Sequence, residues 1–283
     1  MLTVTAEQKE SSRLTKEEWR EFTKTVWHIA NVTHPSHPAV FPLEIPLRLI
    51  KLFSFVDERI LDPFAGVGTT AQAAVATGRR AICVDQNRTY AKEITQWRAS
   101  LNGHAQAVEV KVGDARDLSF IPDESIGLAI TSPPYWNKAD YGRSKRNVGN
   151  MASYRDFIES LRPAFDEVFR VLAPGRKFAV VTANVNQYTD HGLLTFPIAA
   201  DLTVLLREIG FVLVNEVIWS KDGTGGRWGS ANHQRPIFGS YPYPPNFLFK
   251  NVHEYVIIVS KPGTRKAMKG MLPYADLMAT NNF

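Results

Sequence analysis

The sequence predicts an α/β fold: a seven-stranded, mostly parallel sheet with helices on both faces and an antiparallel last strand. Two observations carry this. From Arg59 onward, short apolar runs alternate with stretches of helical period, the pattern of strand–helix–strand units sharing one sheet. The last two apolar runs are joined instead by 221–251, rich in glycine and proline and without helical period, which reads as an insertion between antiparallel neighbours.

Strands are expected at 59–65, 80–85, 108–114, 127–132, 177–184, 212–220 and 253–260, with helices at 69–78, 88–101, 153–172 and 196–210. In the third helix Phe157, Ile158, Leu161, Phe165, Val168, Phe169 and Leu172 recur near the 3.6 period, and Pro163 marks a kink. Upstream, Thr15 and Glu18 form a capping box that opens a helix through "WREFTKTVWHI"; the residues before it are expected to be mobile.

With 283 residues and 44% apolar content the chain can bury one large core. Its single cysteine, Cys83, excludes an internal disulfide, and with no CxxC there is no thiolate zinc site. Cys83 sits in "AICVD" and reads as core packing. "HPSH" (34–37) lacks partner ligands, so no metal is expected. The first residues mix charges and hydroxyls where a secretory leader carries an apolar block, and no run is long enough to span a bilayer. The expectation is a soluble, cytoplasmic chain with no membrane partner. A formal charge of +5 and a pI near 9.2 favour polyanionic partners. The cations gather at Arg143, Lys145 and Arg146, at Arg227 and Arg235, and at Lys261, Arg265, Lys266 and Lys269.

"DPFAGVGTTAQAA" (62–74) follows the first strand and opens a helix. Gly66 and Gly68 permit positive φ and close backbone approach, and the amides of the helix start suit an anionic group. Gly66-x-Gly68-x-x-Ala71 also fits the dinucleotide fingerprint. Asp85 ends the second strand and can accept from two ribose hydroxyls; Asp114 ends the third and can accept from an exocyclic amine. The three features together point to a nucleoside-bearing cofactor. "AITSPPYWNKADYG" (129–142) stops the fourth strand abruptly, because neither proline has an amide proton for the sheet.

On these residues the chain resembles the amino-directed DNA methyltransferases, which use S-adenosylmethionine on exocyclic amines of bases. "DPFAGVGTT" is similar to their cofactor loop, "TSPPYW" to their catalytic loop, and "HPAVFP" (37–42) to the segment that packs an aromatic beside the cofactor. "GSYPYPPNFLFKNVHEYVIIVSKPG" resembles the region closing their sheet. The resemblance implies a Rossmann-like methyltransferase sheet. It assigns Phe41, Asp62, Phe64, Gly66, Gly68, Thr69, Thr70, Asp85 and Asp114 to S-adenosylmethionine and Ser132, Pro133, Pro134 and Tyr135 to catalysis. A ring-conjugated amine is a poor nucleophile until acceptors hold its protons. The resemblance makes the Ser132 hydroxyl and the Pro133 carbonyl those acceptors, with Tyr135 stacking on a base flipped out of the duplex.

Serine at the first position is typical of family members that make N4-methylcytosine; aspartate or asparagine is typical of N6-adenine enzymes and of those modifying glutamine in release factors. The cofactor loop precedes the catalytic loop here, whereas many N4-cytosine enzymes run in the reverse order. DNA contacts are expected from Trp136, Lys138, Arg143, Lys145, Arg146, Arg227, Trp228, Arg235 and Tyr241, where arginine can pair with guanine and phosphate contacts add salt dependence. The chain then divides into an N-terminal helical extension (1–34), a catalytic domain (35–262) with recognition insertions near 137–153 and 221–251, and a basic C-terminal tail (263–283). DNA is the expected partner and a cognate restriction endonuclease a candidate second one. N6-adenine methylation is the alternative activity. An NAD-dependent oxidoreductase explains the glycine turn but leaves "TSPPYW" without a purpose, and a DNA-binding protein without activity leaves the same residues idle.

Overall fold

The computed structural model describes residues 3–37, 40–103, 105–136, 151, 153–221 and 251–263. Helices α1 (Ala6–Ser11) and α2 (Lys16–Phe22), strand β1 (Val26–His28) and helix α3 (Glu44–Phe53) come first. Then follow β2 (Arg59–Asp62), α4 (Thr69–Ala76), β3 (Arg80–Asp85), α5 (Arg88–Ala99), β4 (Val108–Val112) and β5 (Ile126–Thr131). Helices α6 (Tyr154–Ser160) and α7 (Arg162–Val171) lead to β6 (Leu172–Thr182). A separate hairpin of β7 (Val185–Thr189) and β8 (Gly192–Phe196) precedes α8 (Ile198–Ile209), β9 (Val212–Ser220) and β10 (His253–Ser260).

The main sheet is ordered β1-β9-β10-β6-β5-β2-β3-β4. Strands β4, β3, β2, β5 and β6 are parallel, β10 lies antiparallel between β6 and β9, and β1 pairs parallel with β9. The seven expected strands are all there, and the last is antiparallel. Alternation along each strand divides the core in two. Leu61, Ile82, Val84, Ala129, Phe178, Val180, Ile257 and Val259 face α6, α7 and α8; Ile60, Cys83, Leu128, Ile130, Val181 and Ile258 face α3, α4 and α5. Strands buried on both sides read as unbroken apolar runs, which is why they were legible.

The chain moves from β2 outward to β3 and β4, then returns to the other side of β2 as β5. The loops after β2 and β5 therefore part company at the carboxyl edge, where open α/β sheets leave a crevice.

Several elements depart from expectation. The helix opened by Thr15 ends at Phe22, and the β-branched and aromatic residues after it form β1. Trp27 is 1% exposed, and its indole donates to the Phe22 carbonyl at 3.2 Å. Residues 1–34 are thus not purely a helical extension, because β1 is an eighth strand of the sheet. Nor are the residues before Thr15 loose: α1 carries its own capping box, Thr5 with Gln8. The Val56 amide donates to the Ser12 hydroxyl at 2.8 Å, and the Gln8 amide donates to the Val56 carbonyl at 3.2 Å. At Leu161 the long helix breaks into α6 and α7, leaving Pro163 in the first turn of α7, where its missing amide costs nothing. Helix α3 and the β7–β8 hairpin were not anticipated. No described helix is long and apolar enough to cross a membrane.

Trp27→Ala should lower unfolding free energy by about 3–5 kcal/mol, the usual cost of emptying a large aromatic site. Urea denaturation followed by circular dichroism measures it; a loss below about 1 kcal/mol would mean that β1 is not part of the folded unit.

Candidate active site

The glycine loop is held from below. Asp62, the last residue of β2, is 1% exposed. Its Oδ1 accepts from the Phe64 amide at 3.1 Å and from the Thr131 hydroxyl at 2.8 Å, and its Oδ2 accepts from the Thr70 hydroxyl at 2.5 Å. One carboxylate therefore joins the loop, the first turn of α4 and the end of β5.

Asp85, at the end of β3, accepts from the Gly66 amide at 2.8 Å through Oδ2 and from the Asn87 amide at 2.7 Å through Oδ1. Burial raises its pKa, and these two amides oppose the rise. Gly66 has φ of 51°, and a Cβ there would lie 2.9 Å from His37 Nε2. Gly68 has φ of 88°, and its Cβ would lie 2.9 Å from Ile94. Neither position accepts a side chain without displacement.

Above the loop a cleft of about 1000 Å³ opens to solvent. Phe41, Phe64, Gly66, Thr69, Asp85 and Asp114 line it, with Ser132, Pro133 and Pro134 on the facing wall. Asp62, Gly68 and Thr70 do not line it; Asp62 and Thr70 work as buried struts. Asp114 grips Arg116 through both oxygens, at 2.8 Å from Nε and 2.6 Å from Nη2.

The catalytic loop divides at its midpoint. Ser132, Pro133 and Pro134 face the cleft, whereas Tyr135 and Trp136 turn inward, 5% and 7% exposed. The Tyr135 hydroxyl donates to Glu254 Oε2 at 2.8 Å, and Ser132 Oγ lies 3.4 Å from the Tyr135 hydroxyl. The Trp136 indole donates to the Met151 carbonyl at 2.7 Å and packs on Tyr154 and Phe196 at ring separations of 5.2 and 4.7 Å. Neither ring offers an open face here, so stacking by Tyr135 on a base and DNA contact by Trp136 are not what this arrangement provides. Trp136 is a wedge that fixes the loop. Lys138, Arg143, Lys145, Arg146, Arg227, Trp228, Arg235 and Tyr241 lie outside the described residues.

Sequence reasoning missed His37, Tyr90, Asn87 and Arg116, all on the cleft wall. His37 packs over Gly66 and against Tyr90, ring centroids 4.7 Å apart. Its neighbours in "HPAVFP" were a signal for this segment, but the histidine drew notice only as a discarded metal ligand. Asn87 had a second signal, its place as the cap of α5.

Burial pushes Asp62 up to about 6, against its three hydrogen bonds and with some help from the charge of Asp85. A raised folded pKa means the native state holds the proton more tightly than the unfolded chain. That stabilisation is complete below the ordinary carboxylate range and disappears as pH climbs through about 6. Asp62→Asn removes the titration. The stability of the natural protein relative to this variant should fall by on the order of 2–3 kcal/mol between about pH 4 and pH 7. Paired urea melts across that range measure it, and a constant difference would refute the raised pKa.

A sequence model of the DNA methylase family, covering N6- and N4-directed enzymes, matches residues 2–96 and 126–280. Type II methyltransferase M.MjaI of Methanocaldococcus jannaschii is 43% identical over 189 residues, 58% of this chain and 59% of that protein. Type II methyltransferase M.BglI of Bacillus subtilis is 40% identical over 81 residues, 28% of this chain and 23% of that protein. The chain thus matches less than two thirds of the length of either relative. The crystal structure of TTHA0409, a DNA modification methylase from Thermus thermophilus complexed with S-adenosyl-L-methionine, is 32% identical over 59% of this chain and 63% of that one, with a TM-score of 0.40. A family match over so much of the sequence, on a chain whose glycine loop and Ser-Pro-Pro wall share one cleft, establishes that this protein belongs to the amino-directed (N6/N4) DNA methylase family.

Proposed function

We propose that this protein is a site-specific DNA methyltransferase that transfers the methyl group of S-adenosylmethionine to the N4 amine of a flipped-out cytosine. The observation that carries the reading is the shared cleft: Ser132 and its prolines face the wall formed by Gly66, Asp85 and Asp114.

The residues fit the methyl donor. Gly66 and Gly68 leave the backbone bare at the loop, Asp85 has lone pairs beyond those used by Gly66 and Asn87 for a ribose diol, and Phe41 and Tyr90 flank the opening. When bound, the donor supplies an activated methyl on a sulfonium. The chain's own task is to make the base amine reactive. Ser132 Oγ and the Pro133 carbonyl accept the two amine protons, which localises the nitrogen lone pair toward the donor. The nitrogen–carbon bond forms as the carbon–sulfur bond breaks, and a proton leaves the methylated amine afterwards. Prolines at 133 and 134 restrict the backbone so that both acceptors are in place beforehand.

Serine at position 132 favours cytosine over adenine as the target. Residues 137–153 and 221–251, with their arginines and aromatics, are the proposed DNA-reading segments, suited to a short target. The Type II names of the relatives support a modification role beside a cognate restriction endonuclease.

Nucleoside analysis of DNA from cells expressing the gene should show N4-methylcytosine; N6-methyladenine instead would overturn the choice of base. Ser132→Ala should lower turnover on the order of a hundredfold or more with donor affinity nearly intact. Asp85→Ala should do the reverse, weakening donor binding in calorimetry more than turnover at saturating donor. Equal loss of both properties in both variants would break the assignment of roles.

A further inference from the structure

A serine hydroxyl carries one proton and two lone pairs, so it can meet an amine either as donor or as acceptor. Only the acceptor orientation localises the amine lone pair. Something must therefore take the serine proton away from the base, and the structure supplies a series of groups able to do so.

Tyr135 Oη is the partner 3.4 Å from Ser132 Oγ. Its own proton is committed to Glu254 Oε2 at 2.8 Å, which leaves the phenol oxygen able to accept from serine. Glu254 Oε1 is in turn bound by Lys221 Nζ at 2.5 Å, and the two side chains are 9% and 5% exposed. Lys221 also stands over the Trp219 ring, 4.3 Å from its centroid. A buried ion pair is a weak source of stability, because the cost of desolvating both charges offsets much of their attraction. Its value here is directional: a charged acceptor polarises the tyrosine hydroxyl, and bonds in series strengthen one another. The serine–tyrosine link is the longest of the series, beyond the usual range for a hydroxyl pair, as catalytic hydrogen bonds often are before substrate is bound.

We propose that Glu254, fixed by Lys221, is a positioning residue that acts through Tyr135 to turn the Ser132 hydroxyl into a proton acceptor for the target amine. The inference rests on the reading of Ser132 as an amine acceptor given above. Tyr135 is accordingly a support for serine rather than a platform for the base.

The test is a double-mutant cycle on single-turnover methyl transfer, with saturating tritium-labelled donor and unmethylated genomic DNA. Tyr135→Phe keeps the ion pair and the ring but removes the hydroxyl. It should slow transfer on the order of tenfold with donor affinity and melting temperature unchanged. Glu254→Gln should slow transfer similarly where it folds; where it does not, Tyr135→Phe decides. In a Ser132→Ala background Tyr135→Phe should have no further effect, since the group it orients is gone. Equal slowing by Tyr135→Phe in both backgrounds would overturn the proposal, as would unchanged transfer by Tyr135→Phe alone. If instead Ser132→Ala transfers methyl at the natural rate, the reading of Ser132 fails first, and the relay fails with it.

Discussion

Beneath the cleft the Asp62 carboxylate gathers the Phe64 amide and the Thr70 and Thr131 hydroxyls, and most of the site's geometry follows from that one set of bonds. Strands β2 and β5 are already hydrogen-bonded neighbours, but their outgoing loops diverge at the switch point and would otherwise be independent. Thr131 immediately precedes Ser132, and Phe64 and Thr70 bracket Gly66 and Gly68. A single buried group thus sets the distance between the wall that would hold the methyl donor and the wall that would hold the base. Transfer of a group between two bound partners is sensitive to errors of an ångström. Placing the spacer in a packed interior, rather than in either loop, limits such errors. The cost is a carboxylate out of water, and three hydrogen bonds offset it.

The antiparallel strand contributes in a way that no parallel strand could. In a parallel sheet only the carboxyl ends of strands reach the edge that carries the cleft, so only loops and terminal residues act there. Strand β10 enters the sheet at that same edge, its beginning beside the end of β6, with Tyr255 opposite Thr182. Glu254 is therefore at the cleft edge while still inside a hydrogen-bonded strand, opposite Trp219 of β9. A carboxylate mounted in this way has less freedom than one on a loop. That rigidity makes it a suitable anchor for Tyr135.

What could be read in advance was local or repetitive. The buried strands announced themselves as apolar runs, and the glycine turn and the Ser-Pro-Pro stop are contiguous. The segments that escaped notice were masked by composition. Helix α3 begins among Pro42, Leu43 and Pro46, which read as loop, although Ile45, Leu49 and Ile50 face the core at helical spacing. Strand β1 has three residues and is recognisable only by its pairing with β9, almost two hundred positions away. The same holds within the site. Asp62 looked like a ligand contact because it opens the glycine loop; burial against Thr131, 69 residues on, made it a strut. Tyr135 looked like a base platform because it follows the prolines, and its bond to Glu254 crosses 119 residues. Partnerships of that span leave no trace in spacing or period.

The same network stands at the roots of both segments proposed to read DNA. Residues 137–150 depart directly from Trp136, which is wedged between Tyr154 and Phe196 and tied to the Met151 carbonyl on the segment's far side. Residues 222–250 begin directly after Lys221 and end shortly before Glu254, and the Lys221 amide donates to the Val252 carbonyl at 2.8 Å. The Lys221–Glu254 ion pair therefore closes the base of the longer segment, just as the Trp136–Met151 bond closes the base of the shorter one. Both closures touch the two residues that follow Ser-Pro-Pro. A pull on either segment is delivered to Tyr135 or Trp136 before it reaches any other part of the cleft. Recognition and chemistry need no separate device to be coupled in such an arrangement, because the groups that hold the segments in place also hold the serine.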